Sequence, residues 1–340
     1  MYFPNTKYSR LFLAVALIQG LLALGLQAYV FVAVMGAINP IAAYATENGH
    51  LVPMYFSLFI FAFVYELIVV YDALRLRSMI QLVGICIFSF LLLIYAAVQP
   101  LQVKATLDQF EGSHALGSIP LLPPKLHTWQ RIAPALIAVI LVQAMATFAL
   151  AFLTYKLHFE FAWVVYKVVH ADLLMKKRLL NFQIYIALIK FDFFFLLGFL
   201  VQTVTLIVVP KEDPEFALSI AGIFVALAAM CMAIYCAKVE NKLGTIAIVV
   251  AYVGSAVYLS YKLAVLSTKT NYVLIVFAAI TIVMVLCTII MSIVCLASFD
   301  KGLKAYTMPQ QKLLTEADDI YLYHIQNYSY NVRASRLELE

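Results

Sequence analysis

Apolar residues run along this chain in long unbroken blocks, without the alternating or one-faced patterns of a water-soluble fold. The blocks cover 11–35, 54–74, 79–98, 132–155, 182–209, 216–237, 243–266 and 272–299. A membrane-crossing helix needs about 20 mostly apolar residues. The pattern therefore predicts an all-α polytopic membrane protein, a bundle of about eight transmembrane helices filling residues 1–299. The first block is too long for the core of a secretory leader and lacks a convincing small-residue cleavage site, so it reads as a retained helix. Asn39-Pro40 closes it, because the residue before a proline resists helix. Pro53 introduces the second block, and Pro134 is tolerated in the first turn of the fourth.

The connections are short, with two exceptions. Arg75 to Arg77 makes a tight turn and Lys238 to Lys242 a short charged link, while 99–131 is the longest outer loop. That loop holds Gly112, Gly117, Pro120 and Pro123-Pro124 and has room for a short helix or lid. The second exception is 156–180, where Trp163, Val164, Tyr166, Val169, Leu173 and Leu174 mix with Lys167, Lys176, Lys177 and Arg178. Such a mix suits a helix lying in the membrane interface with its basic groups on anionic lipid headgroups. The plainer alternative is that it extends the flanking helices into water. Residues 300–340 form a polar tail.

Composition fixes the solvent. Hydrophobic residues make up 65% of the chain and charged residues 12%, against about 25% charged in a soluble domain. A soluble fold could not bury so much apolar surface, so the bilayer is the first partner. The net charge of +5 is spread over short connections. It makes no stripe that nucleic acid would need, which excludes that class of partner. The basic residues set the orientation. Sixteen of the 23 Lys and Arg, from Lys7 and Arg10 through Arg75, Lys156, Lys238 and the tail, fall on the side that an even number of crossings gives to both ends. Both termini are thus predicted to be cytosolic. The sequon at Asn327 should then stay unmodified.

Charges at membrane depth are costly and mark candidate sites. Glu66 and Asp72 lie in the second block and Lys190 and Asp192 in the fifth. Glu66 is about 13 Å above the Arg75 turn and Lys190 about 12 Å above Phe182, at 1.5 Å per residue. Matching depths predict a Glu66–Lys190 ion pair, with Asp72 or Asp192 as a second acid. A gate or proton-coupled site between helices two and five is the functional reading, and a structural pair the plainer one. Gln19, Gln27, Gln143 and Gln202 are candidates for interhelical hydrogen bonds, worth about 0.6–2 kcal/mol each.

Catalytic chemistry has no foothold. There is no HExxH, GxSxG or P-loop, and the five cysteines all sit inside apolar runs with no metal-ligand spacing or disulfide framework. The expectation is a protein without cofactor or metal that is not an enzyme. Small-molecule or ion transport is one alternative. A scaffold or trafficking adaptor, docking through 156–180 and the tail, is the other.

Four stretches carry a further signal. They are Leu17-Ile-Gln19 through Leu26-Gln-Ala-Tyr29, Tyr71-Asp-Ala-Leu-Arg-Leu-Arg77 with Ile80-Gln81, Lys190-Phe-Asp-Phe-Phe-Phe195 with Gly198-Phe199, and Phe299-Asp-Lys-Gly-Leu-Lys304. In order and spacing they resemble a fungal family of uncharacterised multi-pass Golgi apparatus membrane proteins. The resemblance implies a Golgi or other endomembrane location and no particular activity. Its blocks include Asp72, Lys190 and Asp192.

Overall fold

The computed structural model describes residues 6–37, 51–111, 114–115, 119–120, 128–168, 173–206, 214–267 and 272–299. They form eight long helices: α1 (Lys7–Ala37), α2 (Leu51–Leu76), α3 (Met79–Glu111), α4 (Thr128–Val168), α5 (Leu173–Leu206), α6 (Pro214–Val239), α7 (Lys242–Ser267) and α8 (Tyr272–Leu296). Each is long and apolar enough to cross a membrane. The only strands among the described residues are two short ones between α3 and α4, where His114–Ala115 (β1) pairs antiparallel with Ile119–Pro120 (β2). Large side chains point outward along the helices; Phe148 is 76% and Leu243 80% exposed. An apolar exterior of this extent is stable only against lipid.

The helices pack as two closed four-helix rings. In the first, each of α1 to α4 packs on its neighbour in sequence and α4 returns to α1; in the second, α5 to α8 do the same and α8 returns to α5. The rings meet where α5 packs against α2 and α3. Since four crossings return the chain to its starting side, the second ring repeats the first in the same orientation. This is the parallel kind of internal repeat seen in membrane transporters.

The turn inside each ring supports the repeat. Arg77, after α2, and Glu240, after α6, both adopt the left-handed conformation, with φ of 48° and 56°. The next residue closes the same loop in both: Ser78 N–H donates to the Ala73 carbonyl at 3.1 Å and Asn241 N–H to the Cys236 carbonyl at 3.0 Å. This bond caps a helix end by satisfying its last carbonyls. Asn241 then caps α7, its Oδ1 accepting from Gly244 N–H at 3.3 Å.

Glycines let the helices approach at three crossings. A Cβ at Gly84 of α3 would strike the ring of Phe191 on α5. One at Gly20 of α1 would lie 3.0 Å from Leu67 of α2, and one at Gly198 of α5 3.0 Å from Phe277 and 3.1 Å from Leu58. The seam between rings is aromatic. Phe88 and Phe194 meet edge to face at 4.8 Å, Phe61 stacks on Phe194 at 5.4 Å, and Tyr65 stacks on Phe193 at 5.7 Å. Such pairs add about 0.5–1.5 kcal/mol each beyond burial.

Two expectations about the connections are corrected. The third helix does not stop at Val98 but continues through Pro100 to Glu111. Proline removes one backbone donor, a loss that membrane helices accommodate, and Gln99 thereby becomes a buried helical residue. The segment 156–180 is not a separate interfacial helix. Its first part completes α4, 41 residues and about 60 Å long, and its last part opens α5. A helix continuous with a membrane crossing cannot also lie flat in the interface. The Lys190 carbonyl, which accepts from Tyr65, lies 17 residues from the start of α5 while Tyr65 lies 11 from the end of α2, and Cys86 meets Thr154 seven residues into α3 and 14 before the end of α4. The end of α4 and the start of α5 therefore each run on the order of 10 Å beyond the α2–α3 turn. The tail 300–340, with Asn327, lies outside the described residues.

Candidate functional site

Glu66 sits at the centre of the first ring, 3% exposed, inside a network to which all four helices contribute. Gln19 of α1 donates from Nε2 to Glu66 Oε2 at 3.2 Å and to Gln143 Oε1 of α4 at 2.9 Å. Gln143 donates in turn to the Ser89 carbonyl of α3 at 3.0 Å and to its hydroxyl at 3.1 Å. The Ser89 and Thr147 hydroxyls share a hydrogen bond of 3.1 Å, and Thr147 also donates to the Gln143 carbonyl at 2.8 Å. Two acceptors in the network, Glu66 Oε1 and Gln19 Oε1, have no donor among the described residues.

A second polar layer lies along the same ring. Gln27 of α1 and Gln99 of α3 exchange two amide hydrogen bonds, at 2.8 and 3.1 Å. On the other side of Glu66, the Cys86 thiol and the Thr154 hydroxyl are 3.1 Å apart. The interior of the first ring is thus a column of paired polar groups enclosed by apolar packing, from Phe12, Phe59 and Phe63 to Leu150.

Lys190 is not the partner of Glu66. Its ammonium pairs with Asp72 of α2, and Tyr65 donates its hydroxyl to the Lys190 carbonyl. The geometry of α2 explains the correction. Asp72 lies six residues beyond Glu66, or 240° around a helix with 3.6 residues per turn. Glu66 therefore faces into the first ring while Asp72 faces α5. The Asp72 and Lys190 side chains keep 35% and 18% of their surface exposed, so the pair sits on the seam and is only partly enclosed by protein.

Asp192, two residues after Lys190, turns the other way into the second ring and is fully buried. Neither carboxylate oxygen has a hydrogen-bond partner among the described residues. The Thr288 hydroxyl of α8 is close enough to interact with the carboxyl, although it donates to the Met284 carbonyl at 3.2 Å. The Tyr252 ring of α7 is within electrostatic reach of the carboxyl, and its own hydroxyl is unpartnered. Higher on α5, Gln202 is buried with both amide atoms unpartnered among the described residues, in contrast to the four paired glutamines of the first ring, Gln19, Gln27, Gln99 and Gln143.

The four charged candidates thus divide among three places: Glu66 in the first ring, Asp72 with Lys190 on the seam, and Asp192 in the second ring. Among the described residues, neither Glu66 nor Asp192 touches a basic side chain, and no cluster of three metal-ligating groups occurs. Sequence reasoning missed Ser89, Gln99, Thr147, Tyr65 and Tyr252. Hydroxyls inside apolar blocks give no signal, because a helical Ser or Thr commonly satisfies itself on the carbonyl one turn back. Buried carboxyls without a counter-charge are expensive; such a group suits the uptake and release of a proton or cation.

No protein-family model and no solved structure matches the chain. It is similar to a UPF0658 Golgi apparatus membrane protein of Schizosaccharomyces pombe, 27% identical in an alignment 326 positions long that spans 89% of this chain and 90% of that protein. The likeness runs through both rings and agrees with the fungal Golgi family that the four sequence stretches resemble. Eight apolar helices and this relative together make the chain a multi-pass membrane protein of the Golgi apparatus or another endomembrane, related to that fungal protein.

Proposed function

We propose that the protein is a proton- or cation-coupled transporter for a small molecule, not an enzyme, with both termini in the cytosol. One observation carries the reading: each ring holds a buried carboxyl, Glu66 or Asp192, with no ion-pair partner among the described residues, while Lys190 is already held by Asp72. A purely structural design would set the lysine against the deepest acid. A repeat of two similarly oriented units is an architecture in which one half can rock against the other, and the seam carries the ion pair that such motion would make or break. The basic residues on the side of the α2–α3 turn support the cytosolic placement.

The test is a pH jump applied to the purified protein in vesicles on a solid-supported membrane. Rapid transient currents are expected from the native protein and should be lost in Glu66→Gln and Asp192→Asn at equal protein density. Native currents no larger than those of empty vesicles would overturn the reading.

One observation favours a scaffold as the second reading. The end of α4 and the start of α5 run past the α2–α3 turn, and Lys176, Lys177 and Arg178 lie in the first two turns of α5, positions suited to anionic lipid headgroups. Lys167 lies on the last turn of α4. Vesicles with and without phosphatidylserine discriminate the readings: replacing the four basic residues with Gln should alter a scaffold's partner binding and leave pH-jump currents in place.

A further inference from the structure

The two rings leave a cavity where they meet. It measures about 290 Å³ and lies among α2 and α3 of the first ring and α5 and α8 of the second. Its floor is the aromatic seam, where Phe59, Phe88, Phe194 and Phe195 are all buried. Its rim is Ile94, Val98 and Val276, which are exposed. In a membrane-spanning bundle that rim faces lipid. A space walled by hydrocarbon stays dry, because water finds no polar partners there, so a molecule dissolved in the bilayer fills it.

Depth narrows the choice of molecule. Phe88 lies nine residues from the start of α3 and Gln102 lies 23 residues from it, or about 14 Å and about 35 Å. Against a hydrocarbon core about 30 Å thick, the cavity runs from mid-bilayer to the headgroup level opposite the α2–α3 turn. Lys104 and Trp129 mark the same level, the ammonium lying 5.8 Å from the centre of the ring. The cavity thus has the depth of one leaflet. At its headgroup end it is lined by Gln102, whose Oε1 has no donor among the described residues. Gln102 is half-buried and the last torsion of a glutamine is broad, so the amide can turn its oxygen toward a ligand.

No charged residue lines the cavity among the described residues. Lys104, the next charge along α3, is turned about 200° from Gln102 and rests over Trp129 of α4. A neutral occupant with one donor at its polar end therefore fits, and a phosphate does not. Aromatic walls favour a flat, rigid body over a flexible chain, since fused rings have no internal rotations to lose on binding. We infer that the seam cavity is a sterol site, in which the sterol hydroxyl donates to Gln102 at headgroup level and the ring system lies on the aromatic floor between the two rings. The site stands whether or not the protein carries a substrate.

The test uses the full chain in phosphatidylcholine nanodiscs and a sterol carrying a photoreactive diazirine in its ring system. Labelling is expected on peptides of α2, α3, α5 and α8. It should be competed by the unlabelled sterol and not by its methyl ether, which has no hydroxyl to donate. Gln102→Leu should weaken labelling about three- to tenfold, the scale of one hydrogen bond. Val276→Trp, on the lipid-facing rim, should abolish it by closing the mouth, and Phe148→Trp, exposed on α4, should leave it unchanged. If Gln102→Leu does not fold, the rim variant and the methyl ether decide the matter. Labelling spread over all helices, full labelling of a folded Val276→Trp or Gln102→Leu protein, or equal competition by the ether would overturn the site. No labelling above background in the excess of phosphatidylcholine would also overturn it, and would give the cavity to an ordinary acyl chain.

Discussion

Lys190 on α5 and Asp72 on α2 form an ion pair across the seam of two four-helix rings, the place where any movement of one ring against the other would be felt. The pair is partly exposed, so its worth is well below that of a buried one. Lys190→Ala or Asp72→Ala should each lower stability by about 1–2 kcal/mol, seen as a fall of a few degrees in melting temperature in detergent. The charge swap Asp72→Lys with Lys190→Asp should recover more than half of the loss. Additive losses in the double variant would show that the two groups act independently.

Gly84 sets how closely the rings meet. Because a Cβ there would strike Phe191, Gly84→Ala should destabilise by about 1–3 kcal/mol, as overpacking does. Adding Phe191→Leu should relieve it. A stable Gly84→Ala protein with native melting would contradict the packing of α3 on α5.

The glutamines of the first ring should separate by connectivity. Gln27 and Gln99 satisfy each other, so replacing both with Leu should be nearly neutral while either alone costs about 1 kcal/mol. Gln143 links α1, α3 and α4. Gln143→Leu should therefore cost more than either single change, because Gln19 and Ser89 lose a partner together. Thermal unfolding of the four variants, read by size-exclusion profile, checks the order.

The parallel repeat gives a topological prediction. Single cysteines placed at Arg75, Asn241 and Leu174, all exposed, in a protein lacking its five native cysteines should all react with an impermeant maleimide from one side of sealed Golgi vesicles. That side should be the cytosolic face. Arg75 and Asn241 reacting from opposite faces would contradict the parallel repeat.

Much of the fold is legible in the chain because each helix must satisfy its own backbone in lipid, and this forces apolar blocks long enough to count. The boundaries are less so. Pro100 reads as a stop, yet α3 runs through it; and the charged stretch after Tyr155 reads as a surface helix, although continuous helix is available in water as well as in lipid. Glu66 and Lys190 do lie at similar depth, since Tyr65 donates to the Lys190 carbonyl, although α5 begins nine residues before Phe182. Rotation decides partners as much as depth does, and the 240° between Glu66 and Asp72 sends them to different neighbours. The cavity on the seam could not be foreseen, since it depends on how four helices fail to fill the space between them.

In the proposed transport cycle Glu66 and Asp192 exchange protons with the aqueous phases while buried in separate rings. Infrared difference spectra between acidic and alkaline buffers, recorded on the protein in lipid, read carboxyl protonation directly. Two carboxylic carbonyl bands are expected, one absent in Glu66→Gln and the other in Asp192→Asn. A spectrum unchanged by either substitution would mean that both carboxyls are inert and that the polar interior only holds the helices together.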